Sequence, residues 1–207
     1  EDPLSSGIDA AVSAFEIGGT ARFFDTDVEV LGWARWRTHD GYVWHEVTLR
    51  TGDAERWTIE IDGGHYLLFK ELPGAEFGDP SDHAVGTKVT LDRPRHVWPF
   101  GRSRLEQIEG EYWKDMEPGD EIVSRPYHAA PTVLSASIEV GGSDGDESTW
   151  EWAQGMYLDR KDVEKAFGGP VAFPTGPHAA RPYPYTPWGR SLQWLFLAAG
   201  VLGMVAT

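Results

Sequence analysis

The chain contains no cysteine, which excludes a disulfide framework, a thiolate-held zinc or iron–sulfur centre and a thiol nucleophile. Cations are scarce too: 18 Lys and Arg stand against 33 Asp and Glu, for a net charge of −15. A surface of that sign repels phosphate backbones and anionic lipid, so neither nucleic-acid binding nor a polybasic membrane anchor is expected. Paired histidines are missing as well. His39, His45, His65, His83, His96, His128 and His178 never fall four apart, so the two-histidine zinc helix has no counterpart, and no metal or cofactor is expected. There is no Gly-x-Ser-x-Gly elbow, and Gly18-Gly19 and Gly63-Gly64 lack the Lys-Ser/Thr of a phosphate-binding loop. The acidic run from Asp144 to Ser148 fails as a calcium loop, because Thr149 stands at the sixth position and Gly155 at the twelfth.

What is present favours strands. Ten Trp, seven Tyr and nine Phe beside 24 Gly and 14 Pro suit short twisted strands joined by tight turns. At about 150 residues per domain, 207 residues make one good-sized domain or two small ones. Strand-like runs fall at 15–24, 28–37, 42–50, 57–61 and 66–69, with Asp40-Gly41 suited to a hairpin turn. Trp57, Ile59 and Ile61 alternate with Thr58 and Glu60, the period of a strand with one wet face. A turn-rich linker, 73–87, precedes further runs at 88–91, 105–112, 121–125, 133–140 and 149–158, with an acidic loop at 141–148. Asp159 is placed to cap a helix over 160–167 that Gly168 ends. The expected fold is all-β: an antiparallel meander forming a barrel or sandwich, in two lobes (15–72 and 88–168), after an N-terminal extension over 1–14.

Beyond this the character changes. Residues 169–190 hold six prolines and read as a semi-rigid spacer. From 191 to 207 the chain carries no charge, and a helix apolar on every face must be buried in protein or lie in lipid. The expectation is a single-pass membrane segment, with lipid as one partner. Tyr183, Tyr185, Trp188, Arg190 and Trp194 supply the rings and charge of a headgroup interface, and Arg181 with Arg190 puts the β-domain on the cytoplasmic side.

A set of short motifs runs in order through the chain: Ile17-Gly18, Val30-Leu31-Gly32, Trp44-His45-Glu46-Val47-Thr48-Leu49, Trp57, Gly110-Glu111-Tyr112-Trp113, Gly119-Asp120, Leu134-Ser135, Glu151-Trp152, Gly155, Tyr157-Leu158 and Ala166-Phe167. In this it resembles the prokaryotic domain of unknown function 4178 family, over roughly residues 15–167. The resemblance implies a β-rich domain and brings no catalytic residues with it.

Trp33, Trp36, Tyr42 and Trp44 crowd one expected hairpin, and exposed rings of this kind anchor protein contacts. Odd and even positions point to opposite faces, so Trp33 and Trp36 are expected on different sides of their strand. The leading functional expectation is a non-catalytic, membrane-tethered module for protein binding or self-association. The alternatives are a hydrolase with paired carboxylates in a cleft between lobes, and a structural subunit packed through its apolar tail.

Overall fold

Tight turns carry the first half of the chain back and forth. In the computed structural model, which describes residues 14–72, 77–112, 115–140, 150–168, 178 and 180, β1 (Thr20–Phe23), β2 (Thr26–Thr38), β3 (Val43–Thr51), β4 (Arg56–Asp62) and β5 (His65–Glu71) form an antiparallel meander. Gly63 and Gly64, both at positive φ (55° and 82°), make the two-residue turn between β4 and β5, whose backbone twist matches that of the flanking strands. The expected Asp40-Gly41 turn joins β2 to β3. A second series follows: β6 (Lys88–Thr90), β7 (Pro94–Val97), β8 (Gly101–Gly110), β9 (Glu121–Ala129), β10 (Thr132–Val140) and β11 (Glu151–Leu158), then helix α1 (Arg160–Phe167).

The two series share one antiparallel sheet. β5 pairs with β11, β8 pairs with both β2 and β9, and the path β2–β3–β4–β5–β11–β10–β9–β8 returns to β2. The fold is therefore all-β and ring-like, without the regularity of a barrel or the two layers of a sandwich. The long β2 makes this possible: one edge meets β3, while the other is shared between β1 at residues 26–29 and β8 at residues 32–38. At the changeover Gly32 faces Gly110. A Cβ on Gly32 would strike the Glu109 carbonyl and one on Gly110 the Leu31 carbonyl, so the β2–β8 seam closes only around two residues without side chains.

The sheet sorts its residues by parity. Val47, Leu49, Ile59, Ile61 and Leu68 project from β3, β4 and β5 to one side, where Phe15, Phe23 and Val163 of α1 cover them. The Phe167 ring meets Phe15 edge-on with centroids 4.4 Å apart. α1 has the expected bounds and its Gly168 terminator at φ 68°, whereas Asp159 stands at the N-cap without a side-chain capping bond. On the other half, two buried arginines hold the segment before β8 against β9. Arg95 donates to Asp92 at 2.6 and 2.9 Å and to the Tyr127 carbonyl at 3.3 Å. Arg125 donates to the Pro80 and Trp98 carbonyls and lies 4.3 Å over the Phe100 ring.

The expected acidic loop at 141–148 and the apolar segment 191–207 lie outside the described residues, as do Arg181, Tyr183, Tyr185, Trp188, Arg190 and Trp194. Of the spacer only His178 and Ala180 are described. No described helix is long and apolar enough to cross a membrane.

Candidate functional site

The wet face of β4 does not look outward to bulk solvent. Thr58, Glu60 and Asp62 line a cavity of about 550 Å³ inside the ring, within the roughly 300–1,000 Å³ usual for small-ligand sites. The same parity brings in Trp36 from β2, Trp44 and Glu46 from β3, Leu67 and Phe69 from β5, Ser135 from β10 and Ser124 and His128 from β9. Trp98 and Phe100, exposed by 46% and 41%, stand at its rim on the strand-free link between β7 and β8. Aromatic walls with a few convergent polar groups are the usual make-up of a ligand pocket.

This arrangement divides the four rings expected as one patch, leaving Tyr42 exposed and Trp36 buried. Trp33 and Trp36 do lie on opposite faces, as parity requires: Trp33 packs against the apolar core beneath α1, while Trp36 is completely buried. Trp36 and Trp44 are cross-strand partners stacked at 5.5 Å with 10° between their planes. Tyr42 completes the wall at the end of the ring. Three of the four rings therefore line the cavity, and Trp33 lies on the opposite face of its strand.

Five acids among the described residues line the cavity, Glu46, Glu60, Asp62, Glu71 and Glu151, and the first three lie together on β3 and β4. Glu46 accepts hydrogen bonds from Trp36 Nε1 at 3.3 Å and from the Tyr112 hydroxyl. Asp62 accepts from the Tyr42 hydroxyl and stands 3.3 Å from His178 Nε2. Burial would raise the Asp62 carboxyl, but the hydrogen bonds from His178 and Tyr42 outweigh it and hold the group below its ordinary value. Glu60, the cross-strand partner of Glu46, goes the other way: burial first, then the charges of Asp62 and Glu46, push its carboxyl well above the usual range. The Tyr42 hydroxyl is raised by burial and by Asp62, so it stays a donor at neutral pH.

Histidines gather at the Asp62 end. The His178 ring lies 5.1 Å from His65 and 6.0 Å from His128, and His65 Nδ1 shares a hydrogen bond with the Tyr157 hydroxyl at 2.9 Å. They do not amount to a metal centre: no group of three or more His, Asp or Glu among the described residues is arranged to hold an ion. Glu46, Glu60 and Asp62 thus lie together in the interior of the ring. Glu60 was visible beforehand only as the polar half of an alternating strand. The signal for Glu46 and Asp62 was weaker, since each needs its neighbour across the sheet to become part of anything. Comparison of the chain with protein-family models, with curated proteins and with solved structures finds no match.

Proposed function

We propose that the ring is a receptor-type container for a small organic molecule, and that the chain is a binding module which does no chemistry on what it holds. One observation carries this reading: the period-two face that a small closed sheet ordinarily fills with side chains is here turned toward about 550 Å³ of space, walled by Trp36, Trp44 and Phe69 and floored by Glu46, Glu60 and Asp62. Tryptophan emission includes a contribution from this site, because Trp44 lines it with Trp36 stacked against it. A panel of cationic, neutral and anionic amphipaths, followed by emission and by thermal shift, should give saturable binding that Trp44→Ala weakens. Binding that Trp44→Ala leaves unchanged, or no binding by any member of the panel, refutes the container.

The apolar run 191–207 supports a companion proposal, that the container is tethered to a membrane on its cytoplasmic side through a proline-rich arm, with Tyr183, Tyr185, Trp188, Arg190 and Trp194 at the headgroups. Co-flotation of the full chain with lipid vesicles, lost when 191–207 is removed, tests it. The ordered motifs between 17 and 167 support kinship with the domain of unknown function 4178 family.

One observation favours a hydrolytic reading as second choice. Glu60 and Asp62 share a face two residues apart and are shifted in opposite senses, the pattern that divides an acid from a base. Turnover of aryl glycosides or aryl esters, abolished by both Glu60→Gln and Asp62→Asn, would replace the container reading.

A further inference from the structure

The class of ligand follows from how the three carboxylates are provided for, and this step rests on the container reading. Glu46 and Glu60 are directly opposed on neighbouring strands, a position that brings Cβ atoms to about 4.5–5.5 Å and penalises like charges. Asp62 adds a third acid two residues further along the same face of β4. The protein supplies partners for two of them. Trp36 Nε1 and the Tyr112 hydroxyl donate to Glu46, and the Tyr42 hydroxyl and His178 attend Asp62.

Glu60 has none: among the described residues no group donates to its carboxyl, and what faces it is the charge of Asp62 and Glu46. The lone arginine among the described cavity residues, Arg56, is engaged at the rim by Glu111 at 2.5 Å and the Tyr112 carbonyl at 3.4 Å. The ring encloses Glu60, and the surface it keeps looks into the cavity. Aromatic side chains line the same cavity as this acid, and the faces of such rings attract cations. An ammonium head supplies the donors that Glu60 lacks and offsets the repulsion from both neighbours. The wall of Trp44, Phe69 and Leu67 suits an apolar body behind the head.

We propose that the ring selects an organic cation, an amine or substituted ammonium on an apolar body, whose head sits on Glu60 between Glu46 and Asp62 and whose body lies along Trp44 and Phe69.

Three probes with one body and different heads test this by calorimetric titration of the full chain at neutral pH: 4-phenylbutylamine, 4-phenylbutan-1-ol and 4-phenylbutanoate. The amine should bind at least about tenfold more tightly than the alcohol, the ratio one charge-assisted hydrogen bond is worth, with the carboxylate weakest. Glu60→Gln should bring the amine to the level of the alcohol while leaving the alcohol unchanged. Glu46→Gln, read beside it and checked for an unchanged fold by circular dichroism, should reduce the amine preference in part. Equal affinity for amine and alcohol, or an amine preference that survives Glu60→Gln, overturns the cation assignment and leaves the container standing. If none of the three binds, the assignment falls; should the wider amphipath panel also fail, the container falls with it.

Discussion

Mild acid should loosen the ring through one residue. His128 on β9 faces the cavity with Nδ1 buried and without a hydrogen-bond partner among the described residues, while the Trp98 ring meets its own at 5.0 Å. Burial first, and then the neighbouring His178, push the imidazole down from 6.5 to about 4; Arg95 and His96 act in the same direction and Asp62 opposes them. A depressed value means that the unfolded chain takes up the proton sooner than the folded one. The stabilisation is thus complete above about 6.5 and is lost as pH falls toward about 4. At about 1.4 kcal/mol per pH unit, going from 6.5 to pH 5 removes about 2 kcal/mol. Urea midpoints measured at pH 7.5 and pH 5 should show the wild type losing about 2 kcal/mol more than His128→Gln, which has no imidazole to protonate. Groups that do not interact with His128 titrate in both chains and cancel in the difference. Equal losses in the two chains would refute a buried neutral His128.

Three further outcomes follow from local geometry. Asp92 is held at about 2, chiefly by its hydrogen bond from Arg95, so Asp92→Asn should cost about 1 kcal/mol at pH 7 once solvent screening of this exposed carboxylate is allowed for. That gap should close as pH falls from about 4 through about 2, as urea titrations at pH 7 and pH 2.5 would show. Phe24 is 58% exposed and sits at φ 46° in the β1–β2 turn, a left-handed conformation that costs an ordinary side chain roughly 1–2 kcal/mol; Phe24→Asn should therefore raise the melting temperature, and a lowered one would contradict the strain. At the seam, Gly32→Ala should destabilise by more than about 2 kcal/mol, since the collision is with backbone, and an unchanged denaturation midpoint would mean that β2 and β8 do not close there.

Much of the architecture was legible because it is local. The alternation of Ile59 and Ile61 with Thr58 and Glu60 marked β4, Asp40-Gly41 marked its hairpin, and Gly168 ended α1 where expected. The less regular segments were not read. β7 is bracketed by Pro94 and Pro99, which disguise a strand, and β8 begins four residues earlier than its apolar run suggested, because Gly101, Arg102, Ser103 and Arg104 pair through backbone that carries no periodic signal. Closure was beyond local reading altogether. β2 meets β8 and β5 meets β11 across most of the chain, and nothing within a strand says which distant edge it will find. The site suffered the same fate: the wet face of β4 was apparent, but a wet face reads identically whether it meets bulk water or the interior of a ring.

The interior is where this chain departs from what stability alone would favour. Outside the ring, Val47, Leu49, Ile59 and Ile61 pack into one core with Phe15, Phe23 and Val163 of α1; inside, Glu60 is placed opposite Glu46 and beside Asp62 with no donor of its own among the described residues. A carboxyl whose folded value is raised stabilises below its unfolded value of about 4.5 and loses that contribution as pH climbs through the folded value. The wild type should therefore weaken from about pH 4.5 to pH 9 relative to Glu60→Gln, which keeps the shape and cannot ionise. Urea midpoints at the two pH values measure the divergence, and parallel curves would show that Glu60 is solvated well enough to need no partner. If the curves do diverge, adding 4-phenylbutylamine at pH 9 should restore the wild type and not the variant. A destabilising acid that an ammonium compound rescues is better understood as a binding group than as a defect of packing.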